Sequence, residues 1–219
     1  FDRRAFKNVA STGSVNAADG QKLSKSKNNF TDPYVIFDKY GADAERFYLM
    51  SSVAMQSEDM QFNDDEVRDV HNKVVNILRN TKAFYELYKD AAPTPNTSSK
   101  HVLDRWILAR LAEVQKSTTD ALEKFDTVRA TRPWRDFIED FSTWYVRRSR
   151  DRVKGGDSAA ALGTMRHVLR EFSKLIAPVM PFIADEIFIT VRTDADPISV
   201  HLAEWPQARG WFFTKRQTP

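Results

Sequence analysis

A short stretch rich in lysine and serine near the start of the chain has residue types that could bind phosphate. Residues 22–26 read Lys-Leu-Ser-Lys-Ser, inside the segment DGQKLSKSKNN, where Leu23 is the only apolar side chain. Lysine ammonium groups are mobile point charges that can neutralise phosphate oxygens, and a serine hydroxyl can donate to the same oxygens. The stretch therefore predicts a flexible phosphate clamp. Its members would be Lys22, Ser24, Lys25 and Ser26. A solvated polar loop with no ligand has the same composition and is the alternative.

A second cluster of cations lies in the middle of the chain, directly after an aromatic pair. Residues 147–154 contain five Arg or Lys residues and follow Trp144. Guanidinium groups beside exposed aromatic rings suit an RNA backbone and its unstacked bases. Two structural alternatives remain: an ion pair of Arg148 with Asp136 or Asp140, and packing of Trp144 in a core, as helical aromatic stripes usually do. The candidate RNA contacts are Trp144, Arg147, Arg148, Arg150, Arg152 and Lys154.

Composition limits the kinds of site that the chain can carry. There is no cysteine, which excludes disulfides and thiolate ligands, and the four histidines are too far apart in sequence for a recognisable zinc site, so no metal site is predicted. Lys+Arg 33 against Asp+Glu 30 leaves a net charge of only +3, so a nucleic-acid partner must be inferred from local clusters. The sequence contains neither a long apolar run of about 18 residues nor the pattern of a signal peptide. We expect a cytoplasmic protein that does not enter a membrane.

The elements that must position the two clusters are mostly helices. Phe6, Val9 and Val15, interrupted by glycines, predict short strands before the lysine-rich loop. After the loop, Asp32-Pro33 predicts the start of a helix, and apolar residues spaced by three and four predict a long amphipathic helix over residues 64–89. Further helices are predicted over roughly 102–124, 127–153, 158–177 and 181–192. The predicted fold is mainly α, a helix bundle preceded by a small α/β remnant.

The segment DGQKLSKSKNNFTDPYVIFDKYGADAERFYL resembles the second signature loop of class I aminoacyl-tRNA synthetases. That family writes the loop K-M-S-K-S and usually continues into a D-P…YGADA-R helix. Here Lys22–Ser26 occupy the five positions, with Leu23 for the usual Met, and Asp32-Pro33, Tyr40–Ala44 and Arg46 match the continuation. The chain begins with Phe, and we interpret it as a piece of a longer protein.

Three later segments narrow the resemblance to one family. LDRWILARL (103–111), DFSTWYVRRSRDR (140–152) and VHLAEWP (200–206) are similar to the anticodon-binding region of isoleucyl-tRNA synthetases. Valyl and leucyl relatives share the plan but typically lack the W-Y-V-R-R-S-R string, and the valyl equivalent is the nearest alternative. The resemblance implies three regions: the end of a catalytic domain (1–62), an anticodon-binding helix bundle (63–192) and an irregular tail (193–219).

The resemblance implies a reaction, two catalytic residues and an RNA partner. The parent enzyme would activate isoleucine with ATP and Mg²⁺ and transfer it to tRNA(Ile). Lys25 would stabilise the triphosphate during the reaction and Lys22 would assist, which makes these two the implied catalytic residues. No H-I-G-H-like motif is present, so we expect the chain alone to be inactive and to hold no cofactor. The implied partner is tRNA(Ile), bound by a monomer, without DNA or membrane. A stand-alone RNA-binding module and a purely structural bundle remain alternatives.

Overall fold

The computed structural model describes residues 3–27, 29–91 and 94–207, and only the backbone of Lys25. Its N-terminal part contains strands β1 (Val15–Asn16) and β2 (Met60–Gln61), which pair in parallel with Val15 opposite Met60. The prediction of strands around Phe6 and Val9 is wrong: both side chains are exposed and neither residue belongs to a strand. A strand needs a neighbouring backbone to satisfy its polar groups, and in the described ranges β2 pairs with Val15 and Asn16 but not with Phe6 or Val9.

The loop leads through a 3₁₀ turn (Lys25–Lys27) into helices α1 (Pro33–Tyr40) and α2 (Ala42–Met50). The Asp32 carboxylate accepts from Tyr34 N at 2.9 Å, and Pro33 occupies the first helical position, where its missing N–H costs nothing. Gly41 joins the two helices with φ of 79°, a conformation that glycine adopts without strain. A second 3₁₀ turn (Val53–Gln56) leads to β2.

The rest of the described chain is a bundle of helices. Helix α3 (Asp64–Val70) continues through a π-helical turn (His71–Val75) into α4 (Asn76–Glu86), which confirms the long amphipathic helix. Helix α6 (Thr127–Glu139) likewise continues through a π-helical turn (Asp140–Val146) into α7 (Arg147–Lys154). The remaining helices are α5 (Val102–Leu122), α8 (Ser158–Ile176) and α9 (Pro181–Val191), with 3₁₀ turns at Lys89–Ala91 and Val200–Leu202. Across the described ranges, no helix combines the length and the apolar character required to cross a bilayer.

One apolar core extends from Ile36 of α1 to Val200 near the end of the described chain. Trp134 is fully buried at its centre, where its indole N–H donates to Thr118 Oγ1 at 2.8 Å. Phe47 of α2 packs against Trp134, with ring centroids 6.1 Å apart. Because aromatic packing of this kind joins α2 to α6, the segment that carries the loop is anchored to the bundle.

Candidate functional site

The Lys-Leu-Ser-Lys-Ser stretch forms a loop that the side chain of Asn29 closes. Asn29 Oδ1 accepts from Ser24 N at 2.9 Å, and its Nδ2 donates to the carbonyl of Lys22 at 3.2 Å. On the other side, Lys22 forms a β-bridge with Asn16 of β1. The Lys22 side chain is exposed and forms no ion pair with any described residue. Its ammonium group is therefore available to an anion.

Two hydroxyl groups lie on the same loop. Ser24 Oγ and Ser26 Oγ are 2.8 Å apart, and Lys27 Nζ donates to Gln21 Oε1 at 2.8 Å. The side chain of Lys25 lies outside the described atoms, so its placement near these groups stays a prediction. Cations and hydroxyls of this kind fit phosphate oxygens. They are the wrong donors for a divalent cation, and no group of three or more metal-ligating side chains occurs in the part of the chain that the structure describes.

Helix α2, which follows the loop, is attached to the bundle by two charged side chains one turn apart. Asp43 accepts from the backbone N–H groups of Phe182 (3.2 Å) and Ile183 (2.6 Å) at the start of α9. Arg46 donates from Nε to the Val179 carbonyl (2.9 Å) and from a terminal nitrogen to the Pro178 carbonyl (3.0 Å). We call Asp43 and Arg46 the α2 clasp. The carboxylate binds the positive end of one helix and the guanidinium binds carbonyls just past the end of another, so each charge meets the dipole it suits.

The cations around α7 differ in their surroundings. Trp144 is 48% exposed, and the guanidinium carbon of Arg148 lies 3.7 Å from the centroid of its ring. The expected alternatives for both residues are therefore wrong: Trp144 is not a core residue, and Asp140 accepts instead from Arg110 Nε at 2.9 Å. A guanidinium over an aromatic face is attracted by the ring quadrupole and keeps its outer side open to a ligand.

The neighbouring cations lie along the helix that follows Trp144. Arg147, Arg150 and Lys154 are exposed and form no ion pair with any described residue, and Arg150 lies 5.8 Å from the ring centroid of Phe84 on α4. We call the set of five exposed side chains the α7 surface. It consists of Trp144, Arg147, Arg148, Arg150 and Lys154.

The expected role of Arg152 as a cation for RNA requires a correction. Its side chain is only 14% exposed, and its two terminal nitrogens each donate at 2.8 Å to the fully buried carboxylate of Asp104, while its Nε donates to Asp157 at 2.8 Å. The charge of Arg152 is thus used within the bundle, which contradicts the expectation that it is a free cation for RNA. Nothing in the sequence marks Asp104 as the partner, because it precedes Arg152 by 48 residues.

Asp104 is the centre of a buried polar cluster. Ser99 Oγ donates to it at 2.5 Å and the Tyr145 hydroxyl at 2.7 Å. Burial alone would raise the pKa of Asp104, but the hydrogen bonds from Arg152, Ser99 and Tyr145 outweigh it and lower the pKa below its ordinary value. Burial, together with the Asp104 charge, raises the pKa of Tyr145. The cluster fixes α5 against the helix that carries the α7 surface.

The sequence matches two protein families along its length. Residues 1–63 match the family described as tRNA synthetases class I (I, L, M and V), and residues 104–218 match the anticodon-binding domain of tRNA ligase. The isoleucine–tRNA ligase of Chlamydia trachomatis serovar D is 42% identical over 215 residues, and that of Treponema denticola is 36% identical over 227 residues. Each alignment covers 94% of this chain but 21% of the relative, so the chain spans about a fifth of the length of these relatives.

A solved structure supports the same fold. The LeuRS of Agrobacterium radiobacter K84 (agnB2), in its ternary complex with tRNA and LeuAMS, superposes with a TM-score of 0.70 at 21% identity. The superposition covers 90% of this chain and 24% of that chain. With an exposed phosphate-type loop, a clasp that joins it to a helix bundle, and both family matches in this order, the chain belongs to the class I tRNA synthetases and contains their anticodon-binding domain.

Proposed function

We propose that the chain is part of an isoleucine–tRNA ligase, in which the α7 surface binds the anticodon arm of tRNA(Ile). The observation that carries the proposal is the Arg148 guanidinium stacked 3.7 Å over a half-exposed Trp144. A flat cation on a flat ring gives an unstacked base a platform, and the unpaired cations beside it suit the phosphates on either side of that base. The 36–42% identity to isoleucine–tRNA ligases supports the choice of amino acid.

The loop would serve the other substrate of such an enzyme. ATP supplies the energy for joining isoleucine to the tRNA, and the ammonium of Lys22 would neutralise its phosphate oxygens while the Ser24 and Ser26 hydroxyls donate to them. Lys25 would add a second charge there. Because the charges act electrostatically and no proton transfer is required of them, Lys22→Arg should keep more of the loop's function than Lys22→Gln.

We propose the boundaries 1–62, 63–192 and 193–219 for the catalytic end, the bundle and the tail. The single core that extends from Ile36 to Val200 supports a bundle that folds together with the α1–α2 segment. Residues 208–219 of the tail lie outside the described residues. We expect the chain to be a cytoplasmic monomer that needs the remainder of a synthetase, including Mg²⁺ bound elsewhere with ATP, for activity.

The test is binding of the chain to unmodified tRNA(Ile) and tRNA(Val) transcripts, measured by fluorescence anisotropy at several salt concentrations. We expect tighter binding of tRNA(Ile), loss of the preference when the anticodon bases are exchanged, and a steep fall of affinity with salt. Trp144→Leu should weaken binding about 10-fold, because it removes the ring that holds the Arg148 guanidinium in place, and stacking of a base on a platform of this kind contributes roughly 1–3 kcal/mol.

A matched control is Lys116→Gln on α5, because Lys116 is exposed but its charge is already offset by Asp120 at 2.6 Å. This variant should bind tRNA(Ile) as the parent chain does. Equal affinity for both tRNAs, or binding that is indifferent to salt, would contradict the proposal and favour a different role for the bundle. Stronger binding of tRNA(Val) would assign the chain to a valine enzyme.

A further inference from the structure

A cleft lies between α2, the 3₁₀ turn after it, strand β2 and α6. Its volume is about 470 Å³. Apolar residues such as Phe47 and Met60 form part of its wall. The remaining wall is polar or charged, and its principal members are Ser51, Ser52, Gln61, Glu66, Arg132 and Arg135.

Arg135 is an exposed residue whose guanidinium lies against an aromatic ring and not against a carboxylate. Its guanidinium carbon lies 5.1 Å from the ring centroid of Phe47, and it forms no ion pair with any described residue. Although the residue as a whole is exposed, partial burial of the guanidinium lowers its pKa, and the charges of Asp69 and Glu66 only partly compensate. Arg152 shows the opposite balance, since the hydrogen bonds that it donates to the Asp104 and Asp157 carboxylates raise its pKa despite burial. A guanidinium that has no carboxylate partner keeps its N–H donors free for an anion, and a charge-assisted hydrogen bond to phosphate is among the stronger ones.

Arg132 places a second guanidinium on the same wall. It precedes Arg135 by three residues on α6, so both side chains leave the helix on one side. Arg132 is exposed and forms no hydrogen bond or ion pair with any described residue. Glu66 is the one carboxylate in the wall and opposes the two cations. The wall keeps a net positive charge, and the forked guanidinium groups match the geometry of phosphate oxygens.

We propose that this cleft binds a phosphate of the tRNA backbone and is a second RNA contact beside the α7 surface. The inference rests on the proposed function, since it takes the ligand to be the same RNA. Helices α6 and α7 belong to one continuous helix, along which Arg135 and Arg148 are about 20 Å apart at about 1.5 Å per residue. That distance is within the reach of one RNA stem.

The test measures tRNA(Ile) binding by Arg132→Gln, Arg135→Gln and Glu66→Gln variants of the chain. Each arginine variant should weaken binding roughly 10-fold, as expected for a lost charge-assisted hydrogen bond, and should reduce the slope of log affinity against log salt by about 1. Glu66→Gln should strengthen binding, because it removes the opposing charge. Arg129→Gln is the matched control: Arg129 is an exposed arginine one turn earlier on α6 and does not line the cleft.

Arg132→Gln is the decisive variant, because Arg132 is exposed and forms no hydrogen bond or ion pair with a described residue. The melting temperature checks that both arginine variants remain folded. If Arg132→Gln binds as the parent chain does while Trp144→Leu binds more weakly, the cleft inference is overturned and the proposed function stands. Equal losses in Arg129→Gln and Arg132→Gln would replace the cleft with diffuse electrostatic attraction and overturn it too. A parent chain that binds no tRNA would overturn both proposals.

Discussion

The different surroundings of Arg148 and Arg152 give the most specific prediction. Replacement of Arg152 should lower the stability of the fold, whereas replacement of Arg148 should lower the affinity for RNA. Replacement of Arg152 by Met leaves the Asp104 carboxylate buried, with only Ser99 and Tyr145 as donors. Removing one partner of a buried ion pair costs about 3–5 kcal/mol, and the two remaining hydroxyls favour the lower end, about 3 kcal/mol. Replacement of Arg148 by Met removes an exposed cation–π contact, which is worth about 0.5–1 kcal/mol.

The assay is urea denaturation followed by circular dichroism, with tRNA(Ile) binding measured on the same samples. Arg152→Met should lower the free energy of unfolding but should change affinity little while the protein is folded. Arg148→Met should lower the affinity for tRNA(Ile) but should change the free energy of unfolding little. The difference in stability also depends on pH: the folded pKa of Asp104 is lowered, so its contribution is present above the unfolded pKa and is lost as pH falls through the folded pKa. The deficit of Arg152→Met should therefore shrink as the pH falls below about 4.

The reasoning would be refuted if Arg152→Met lowered the free energy of unfolding by less than about 1 kcal/mol. It would also be refuted if Arg148→Met lowered it by about 3 kcal/mol, as much as is expected for Arg152→Met. A double variant supplies a further check. Asp104→Leu with Arg152→Met removes both charges together, so no carboxylate remains buried without its partner. Its free energy of unfolding should exceed that of Arg152→Met alone. If the double variant were the less stable of the two, the cost would come from lost packing and not from an unpaired charge.

Two further predictions concern the contacts that hold the fold together. Gly163→Ala should lower the free energy of unfolding by about 1–3 kcal/mol in urea denaturation, because the new methyl group would lie 2.7 Å from the Asn96 Cβ; an unchanged value would show that the 94–99 segment moves aside freely. Asp43→Ala should cost about 1–2 kcal/mol, since it leaves two N–H groups of α9 without their cap, and protection of those amides in hydrogen exchange should fall; unchanged protection would contradict the capping role.

The helices could be predicted from the sequence because their signals are local. Apolar residues at spacings of three and four specify which face of each helix is buried, and Asp32-Pro33 marks the start of α1 by chemistry that acts within one turn. The strand errors have the opposite cause. A strand is completed by a partner, and the partner of β1 is a two-residue segment about 45 residues later that has no strand signal of its own.

The sequence shows which residue types form the site, but not which of their charges are paired within the fold. In sequence, the cations of residues 147–154 look alike, and the structure separates Arg152 from the others because a buried carboxylate on α5 reaches it. Arg132 and Arg135 show the converse case. Their spacing of three was visible, but whether a guanidinium has a carboxylate partner depends on the tertiary fold, which decides between an internal ion pair and an open binding group.

The α2 clasp connects these observations. Asp43 and Arg46 lie in the motif that follows the lysine-rich loop, yet every hydrogen bond of the clasp reaches residues 178–183 of the bundle. Asp43 lies inside α2, and its carboxylate caps α9 and not its own helix. The clasp thus adds a polar attachment to the aromatic packing of Phe47 on Trp134. With two charges on one side of α2 holding the junction of two bundle helices, the motif that follows the loop and the helix bundle are held together as one unit, although about 135 residues separate them in sequence.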